Sequence, residues 1–169
     1  MRNIRLCGEQ DLATMLAIIN DAAVAYRGVI PPDCWHEPYM PESELRAEIA
    51  AGVEFWGLDT DEGLIGLMGM QPVRDVDLIR HAYVRPDKQR HGVGAQLIEY
   101  LRRRSPRRML VGTWAAATWA IKFYQRHGFE LAPPARAAEL LREYWMLPER
   151  QIETSVVLIL AVNELQRAR

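Results

Sequence analysis

The hydrophobic and polar positions of this chain divide it into short strands and amphipathic helices. Near the start, apolar residues recur every three to four positions behind Glu9 and Asp11, which predicts a helix. These residues are Leu12, Met15, Leu16, Ile19, Ala22, Ala23 and Tyr26. Helical patterns are also found over residues 42–51, 92–104, 118–127 and 135–145. Apolar and β-branched runs predict strands over residues 3–6, 53–59, 64–71, 77–84, 109–114, 129–131 and 154–162.

Two kinds of connection link these elements. Residues 60–63, Thr-Asp-Glu-Gly, have the composition of a hairpin turn between two strands. Residues 28–41 hold four prolines, so they predict a structured loop rather than a strand or a long helix. The later succession of strand, helix, strand, helix and strand predicts a locally parallel or mixed sheet with helices on its faces. We find no repeat, low-complexity tract or linker, hence no domain boundary within residues 1–169.

Composition narrows the class of protein. A length of 169 residues with 49% hydrophobic and 25% charged residues predicts one soluble globular domain. The net charge of −1 argues against bulk nucleic-acid binding. The N-terminus has no long apolar segment and the run 156–162 is too short to span a bilayer, so we expect a cytoplasmic protein. Cys7 and Cys34 predict reduced thiols rather than a disulfide or a metal site.

The residues most informative about function are 78–101. Their first part is a predicted strand that ends at Val84, and their last part carries Val93, Leu97 and Leu101 at helical spacing. Between the two lies Gln-Arg-His-Gly-Val-Gly, residues 89–94. A glycine-bearing helix start exposes unpaired N–H groups at the positive end of the helix dipole, which suits a diphosphate. A lone Gly-x-Gly also occurs where a loop simply makes a close helix contact. The pattern is neither a Walker loop nor a dinucleotide fingerprint.

This segment resembles the central motif of the GNAT superfamily of acyl-CoA N-acyltransferases, a strand followed by Gln/Arg-x-x-Gly-x-Gly/Ala at a helix start. Gln89, Gly92 and Gly94 occupy its fixed positions. Residues 120–129, Ala-Ile-Lys-Phe-Tyr-Gln-Arg-His-Gly-Phe, resemble a second motif of the family, Ala-x-x-Phe-Tyr-x-x-x-Gly-Phe. The resemblance covers about residues 3–162. It implies an α/β fold with a mixed, mostly antiparallel central sheet, a splayed central strand pair and flanking helices.

The resemblance also implies the parts of a site for acetyl-CoA, with no metal. The diphosphate would be held by the backbone of Gln89, Arg90, His91, Gly92, Val93, Gly94 and Ala95. The pantetheine arm and the thioester carbonyl would meet the strand backbone at Ala82, Tyr83 and Val84. Tyr124 would protonate the leaving thiolate, although a core tyrosine beside Phe123 gives the same pattern. Where the family often has an asparagine contacting the cofactor, this chain has Ala117.

The proton acceptor and the acceptor pocket stay open at this level. Some members of the family carry a glutamate on the splayed strand, and the corresponding residue here is Leu78. Asp77 and His81 are the nearby titratable groups, but a strand histidine is more often a hydrogen-bonded core residue than a base, and a water chain can serve instead. The loop residues Trp35, His36, Tyr39 and Met40 fit an acceptor pocket and fit a satellite hydrophobic cluster equally well. On the acceptor side we single out Trp35 and His81.

We therefore predict that the protein is a transferase. It would be an N-acetyltransferase that moves an acetyl group from acetyl-CoA to a primary amine of a small molecule or peptide by direct attack. The alternative is a GNAT-fold module that binds acyl-CoA or a partner without turnover. Such a protein is expected as a monomer or homodimer without nucleic-acid or membrane partners. The basic cluster at the end of one predicted helix is expected to be a solvated surface; it comprises Arg102, Arg103, Arg104, Arg107 and Arg108.

Overall fold

The computed structural model describes residues 1–162, which form one seven-stranded sheet with helices on both faces. The strands are β1 (Asn3–Leu6), β2 (Glu54–Thr60), β3 (Gly63–Val73), β4 (Val76–Val84), β5 (Arg108–Trp114), β6 (Glu130–Leu131) and β7 (Ser155–Leu160). All seven correspond to predicted strands, with ends displaced by one or two residues. The predicted polar tail from Asn163 lies outside the described residues.

Six α-helices accompany the sheet: α1 (Leu12–Ala23), α2 (Glu42–Ala50), α3 (Val93–Arg104), α4 (Thr118–Arg126), α5 (Pro134–Tyr144) and α6 (Glu149–Glu153). The first five were predicted from hydrophobic spacing. Helix α6 was not, because five residues are too few to show a helical period. The proline-rich segment is a loop as predicted, with one short 3₁₀ turn at Pro32–Cys34. Of the helices in residues 1–162, none is long and apolar enough to cross a bilayer.

The order of strands across the sheet is β1-β2-β3-β4-β5-β7-β6. Every neighbouring pair is antiparallel except β4 and β5, which run parallel. The expected mixed and mostly antiparallel sheet is therefore confirmed. The helix between β4 and β5 is α3, so its N-terminus lies beside the end of β4.

The parallel pair separates after a short paired stretch. Strands β4 and β5 are in register from Val76 opposite Arg108 to Ile79 opposite Val111, and the pairing ends there. Beyond this point Arg80, Tyr83 and Val84 of β4 pair only with β3. The register with β3 also shifts here, because the three residue steps from Arg80 to Tyr83 on β4 lie opposite two steps on β3. Within this bulge, His81 has a left-handed φ of 54°. This bulge increases the local twist and opens a wedge between β4 and β5.

The core has one layer on each side of the sheet, since successive strand residues point to opposite faces. On one face, Ile79 and Val111 pack with Leu97 of α3 and with α4. On the opposite face, Leu78 packs with Leu140 of α5. Helices α1 and α2 cover that second face over β2 and β3, through Met15, Ile18, Leu45, Phe55 and Leu67. Packed helices thus cover both faces of the sheet.

A buried polar contact fixes the paired end of β4 and β5. The Asp77 carboxylate is only 2% exposed and accepts a hydrogen bond of 2.6 Å from the Ser105 hydroxyl. Ser105 is also buried, immediately after α3. Arg107 lies 3.6 Å from the second carboxylate oxygen. The contact joins the start of β4 to the turn that leads into β5, so it holds the two strands together before they separate.

We expect Ser105→Ala to destabilise the fold, because it leaves one oxygen of a buried carboxylate without its donor. The expected loss in the free energy of unfolding is about 1–3 kcal/mol, measured by urea denaturation. Ser43→Ala, at an exposed serine of α2, is the matched control and should stay within about 0.5 kcal/mol of the parent. Equal effects of the two substitutions would show that the Asp77 contact contributes nothing to stability.

Candidate functional site

Two cavities meet at the wedge between β4 and β5. The larger, of about 650 Å³, lies between the end of β4 and the N-termini of α3 and α4. The smaller, of about 140 Å³, lies between β4, β5 and the segment from α5 to α6. Five residues line both cavities: Tyr26, Ala82, Tyr83, Ala120 and Tyr124. The wedge therefore connects a space large enough for an extended ligand with a compact pocket.

The start of α3 forms the floor of the larger cavity. Gly92 is the N-cap of α3 and has a left-handed φ of 77°, a conformation that favours glycine. Gln96 N–H donates the first helical hydrogen bond to the Gly92 carbonyl at 3.0 Å, so the preceding N–H groups of the first turn lack helical partners. A Cβ at Gly94 would lie 3.2 Å from two ring atoms of Phe123. The close packing leaves backbone, rather than side chains, facing the cavity.

Positive side chains surround this helix start. Lys88, Arg90 and Arg126 all line the larger cavity. Lys88 is paired with Glu62 at 2.7 Å. Burial, followed by the charge of Arg126, lowers the pKa of His127, which therefore favours its neutral form. The N–H groups, the helix dipole and the arginines together make the cavity suited to a phosphorylated ligand.

The free edge of β4 faces the wedge. Arg85 N–H donates to Ile65 O of β3 at 2.9 Å. Because neighbouring N–H groups alternate in direction along a strand, Val84 N–H points away from β3. The Gln89 side chain donates to the Val84 carbonyl at 3.2 Å, on the same outer edge. The edge thus offers backbone groups to an extended ligand, and Gln89 ties it to the loop before α3.

Tyr124 lies where the two cavities join. Its ring packs against Phe123 and Phe129, with centroids 5.1 and 5.5 Å apart, and only 5% of the residue is exposed. Burial, followed by the nearby Tyr26, raises the pKa of the Tyr124 phenol. A raised pKa keeps the phenol protonated, so Tyr124 is a neutral proton donor at the junction.

The bulge in β4 brings Arg80 and His81 to one carboxylate. Arg80 donates to one oxygen of Glu48 at 3.0 Å, and His81 Nε2 lies 3.4 Å from the other. Both Nε2 and that oxygen are buried and have no other polar partner in the described chain. Burial raises the pKa of the Glu48 carboxyl, but His81 and Arg80 outweigh it, so the pKa lies below its ordinary value. Glu48 is therefore an anion at neutral pH.

Aromatic side chains form the wall of the smaller cavity. Trp114 Nε1 donates to the Tyr39 hydroxyl at 2.9 Å, which fixes two of these rings. Tyr39 comes from the proline-rich loop and stacks on Trp35 at a centroid distance of 5.7 Å. Trp35 does not itself line the cavity and instead supports Tyr39 from behind. Met40 is buried in the core beneath α1 and α2.

The remaining residues named from the sequence lie in or near the wedge as follows. The larger cavity is lined by the backbone segment from Ala82 to Val84, by the loop residues Gln89, Arg90 and Gly92, and by Val93, Gly94 and Ala95 at the start of α3. His91 is in the same loop, but its ring contacts the Gln89 carbonyl at 2.7 Å and does not line the cavity. Ala117 is fully buried. Asp77 and Leu78 are buried in the paired part of β4, outside both cavities.

Several residues of the site belong to no motif that the sequence analysis could recognise. Glu48 is one charged residue among several on α2, and only the fold brings it to His81. Tyr26, in the short turn that follows α1, reaches the wedge, and its ring stacks on that of Trp119 at a centroid distance of 5.9 Å. Trp145, which follows α5, lines the smaller cavity. The spacing of such residues in the chain contains no signal for contacts between distant elements.

The arginine cluster after α3 makes contacts within the chain. Arg103 pairs with Glu99 at 3.0 Å, and Arg104 lies over the Trp56 ring at 4.3 Å. Arg108 lies 3.8 Å from Asp75. The expectation from the sequence was a solvated surface, and the structure adds that three of these arginines have partners within the chain.

Comparisons with known proteins agree with this geometry. Residues 51–131 match the family model of the acetyltransferase (GNAT) domain, which confirms the resemblance inferred from the two motifs. A search of curated proteins gives no match.

Solved structures of similar fold include acetyltransferases. The ribosomal-protein-S18-alanine N-acetyltransferase of Escherichia coli has a TM-score of 0.69 at 19% identity, over 96% of this chain and 95% of that one. The PaiA N-acetyltransferase of Thermoplasma acidophilum, in complex with coenzyme A, gives 0.70 at 16% identity, over 94% and 98%. The N-acetylglutamate synthase of Neisseria gonorrhoeae, with coenzyme A and N-acetyl-glutamate, gives 0.67 at 18%, over 97% of this chain and 36% of that longer one. The chain therefore has the GNAT fold, and residues 51–131 match the acetyltransferase (GNAT) domain.

Proposed function

We propose that residues 3–162 form one N-acetyltransferase domain that transfers the acetyl group of acetyl-CoA directly to a primary amine. The observation that carries this proposal is the wedge between β4 and β5, where a cofactor-sized cavity and a compact pocket meet at Tyr124. A direct transfer requires donor and acceptor to be held side by side with a proton donor between them. The similar proteins that bind coenzyme A support the choice of donor.

The larger cavity is the proposed place of the acetyl-CoA. Its diphosphate would be held by the N–H groups at the start of α3, with Arg90 and Arg126 supplying positive charge. The pantetheine arm would extend along the open edge of β4, where Val84 N–H is directed into the wedge. An N–H of this edge, from Ala82 to Val84, would polarise the thioester carbonyl.

In the proposed reaction, the neutral amine nitrogen attacks the thioester carbonyl carbon and forms a tetrahedral intermediate. The C–S bond then breaks, and the thiolate takes a proton from Tyr124. The nitrogen, which becomes positively charged on attack, releases its proton to a base. The products are the acetylated amine and coenzyme A, and no covalent enzyme intermediate is formed.

His81 is the proposed base. Of the side chains lining the smaller cavity, His81 is the one whose residue type ordinarily titrates near neutral pH. Its Nε2 faces the Glu48 anion at 3.4 Å, so a proton on Nε2 would leave Nδ1 as the acceptor. Glu48 would orient the ring and stabilise the imidazolium. Asp77, the other titratable group considered from the sequence, is bound to Ser105 and lies outside the pocket.

The first prediction concerns the cradle for the diphosphate. In Gly94→Val the new side chain presses on Phe123 and enters the larger cavity, so acetyl-CoA affinity should fall at least about tenfold. Isothermal calorimetry measures this loss. Gln96→Val, at an exposed position of the same helix, carries the same β-branched cost without reaching the cavity and should bind normally. Normal affinity in a folded Gly94→Val protein would refute the cradle.

A second prediction separates chemistry from binding at Tyr124. Tyr124→Phe keeps the packed ring but removes the hydroxyl, so kcat should fall by about 10²–10⁴-fold while acetyl-CoA affinity is retained. Thiol release from acetyl-CoA gives the rate. Tyr100→Phe, on α3 outside both cavities, is the control. A kcat within about twofold of the parent would mean that Tyr124 is a core tyrosine and that another group supplies the proton.

A third prediction concerns His81. In the parent, kcat/KM should decline on the acidic side as the base becomes protonated, and His81→Ala should remove this limb of the profile. His36→Ala is the control, because His36 is exposed and lies outside the smaller cavity, so it should retain the limb. A His81→Ala profile of unchanged shape would assign deprotonation to water or to the amine itself.

These measurements also test the alternative of a binding module without turnover. Such a protein would bind acetyl-CoA with the same sensitivity to Gly94→Val and would release no thiol with any amine. Only the Tyr124 and His81 experiments, which depend on turnover, separate the two functions.

A further inference from the structure

We propose that the acetyl acceptor is a small primary monoamine whose amino group is joined to one ring-sized apolar group, and that this group binds in the smaller cavity. The inference rests on the proposed acetyl transfer and names the substrate class of the same site. It follows from the size of the cavity, from its aromatic wall and from the charges around it.

The size of the cavity matches a single ring. Its volume is about 140 Å³, and an apolar cavity of about 150 Å³ is known to accommodate benzene. Gly112 of β5 contributes to this space because it has no side chain. A Cβ at Gly112 would make ordinary contacts of 3.5 Å with Leu141 and Trp145, which both line the cavity, so a larger group would press on these two side chains.

The wall of the cavity is aromatic and rigid. Tyr39 and Trp114 are joined by a hydrogen bond of 2.9 Å, and Trp145 and Leu141 cover the side of α5. Tyr83 and Tyr26 approach each other edge to face at 6.4 Å. Rings held in this way offer a preformed surface for a flat or compact apolar group. The faces of these rings also attract the ammonium form of an amine as it enters.

The charges around the cavity disfavour amines that carry a second charged group. No aspartate or glutamate is among the described residues that line it, so a second ammonium group of a polyamine would find no anion. Arg80 is the one cationic guanidinium in the lining, and it is bound to Glu48 at 3.0 Å and to Gln71 at 3.1 Å. An amino-acid carboxylate would therefore lack an unpaired cation.

The tyrosines do not change this balance. Burial raises the pKa of Tyr26, of Tyr39 and, most strongly, of Tyr83. Phenols with raised pKa values remain neutral at physiological pH and supply no anionic group. The remaining polar residues of the lining, Thr113, Gln151 and Ser155, are uncharged, so His81, in the bulge, is the proposed base that meets the amine.

The first test compares acceptors on the unmodified protein. Thiol release from acetyl-CoA is measured with benzylamine and 2-phenylethylamine, and with spermidine, L-glutamate and an alanine-initiated tetrapeptide. We expect kcat/KM for the two ring-bearing monoamines to exceed the others by about 100-fold, because a pocket that fits one ring discriminates to that extent. Higher kcat/KM with spermidine, glutamate or the peptide would overturn the inference and leave the proposed acetyl transfer intact.

The second test changes the size of the cavity. Gly112→Val adds two methyl groups beyond the Cβ and takes up space beside Leu141 and Trp145, whereas Gly112→Ala adds only the Cβ. The ratio of kcat/KM for 2-phenylethylamine to that for methylamine should fall about tenfold or more in the valine variant and little in the alanine variant. An unchanged ratio in Gly112→Val, with a normal melting curve, would place the acceptor elsewhere.

Binding separates the two possible failures. If no amine releases thiol, the proposed acetyl transfer fails, and calorimetric titration of 2-phenylethylamine in the presence of coenzyme A then decides the inference. Binding that is weakened by Gly112→Val and retained in Gly112→Ala would support the pocket for ring-bearing amines. No binding to the parent protein would overturn it.

Discussion

Two parallel strands share hydrogen bonds only while they remain about 4.8 Å apart, and β4 and β5 meet this condition for four residues. Beyond Ile79 and Val111, β4 remains paired only with β3, and β5 only with β7. The remainder of the site depends on this separation, because it exposes a backbone edge in the middle of a sheet rather than at its margin. An open edge is usually a risk of aggregation, and here the helices on both faces shield it from other chains.

The separation is stabilised by features on both sides of it. The buried contact of Asp77 with Ser105 holds the paired end, where any loss of pairing would propagate into the core. At the open end, the bulge turns Arg80 and His81 toward the same carboxylate, which an ordinary strand with alternating side chains cannot do. The strained backbone at His81 thus has a counterpart in two polar contacts with the Glu48 carboxylate of α2. The fold combines a firmly packed region with a local irregularity that serves the site.

The sequence was most informative where the function depends on local chain geometry. The glycines at 92 and 94 and the tyrosine at 124 lie in short motifs. Such motifs can be recognised in a sequence because all their residues belong to one helix start or one helix. The register shift in β4 left no trace, because hydrophobic alternation does not reveal an extra residue in a strand. Glu48 was missed because its role arises from a contact across 33 positions of the chain. For the same reason, the proline-rich loop suggested an aromatic surface without showing that Tyr39, rather than Trp35, faces the cavity.

The division of residues between the two cavities has a consequence for how such a protein diversifies. Five residues belong to both cavities, whereas Gly112, Trp145 and Ser155 belong to the smaller one alone. Substitutions in the second group alter the pocket without reaching the start of α3. In the proposed function, such substitutions on β5, β7 and the segment after α5 would change the acceptor pocket and leave the acetyl-CoA cavity as it is.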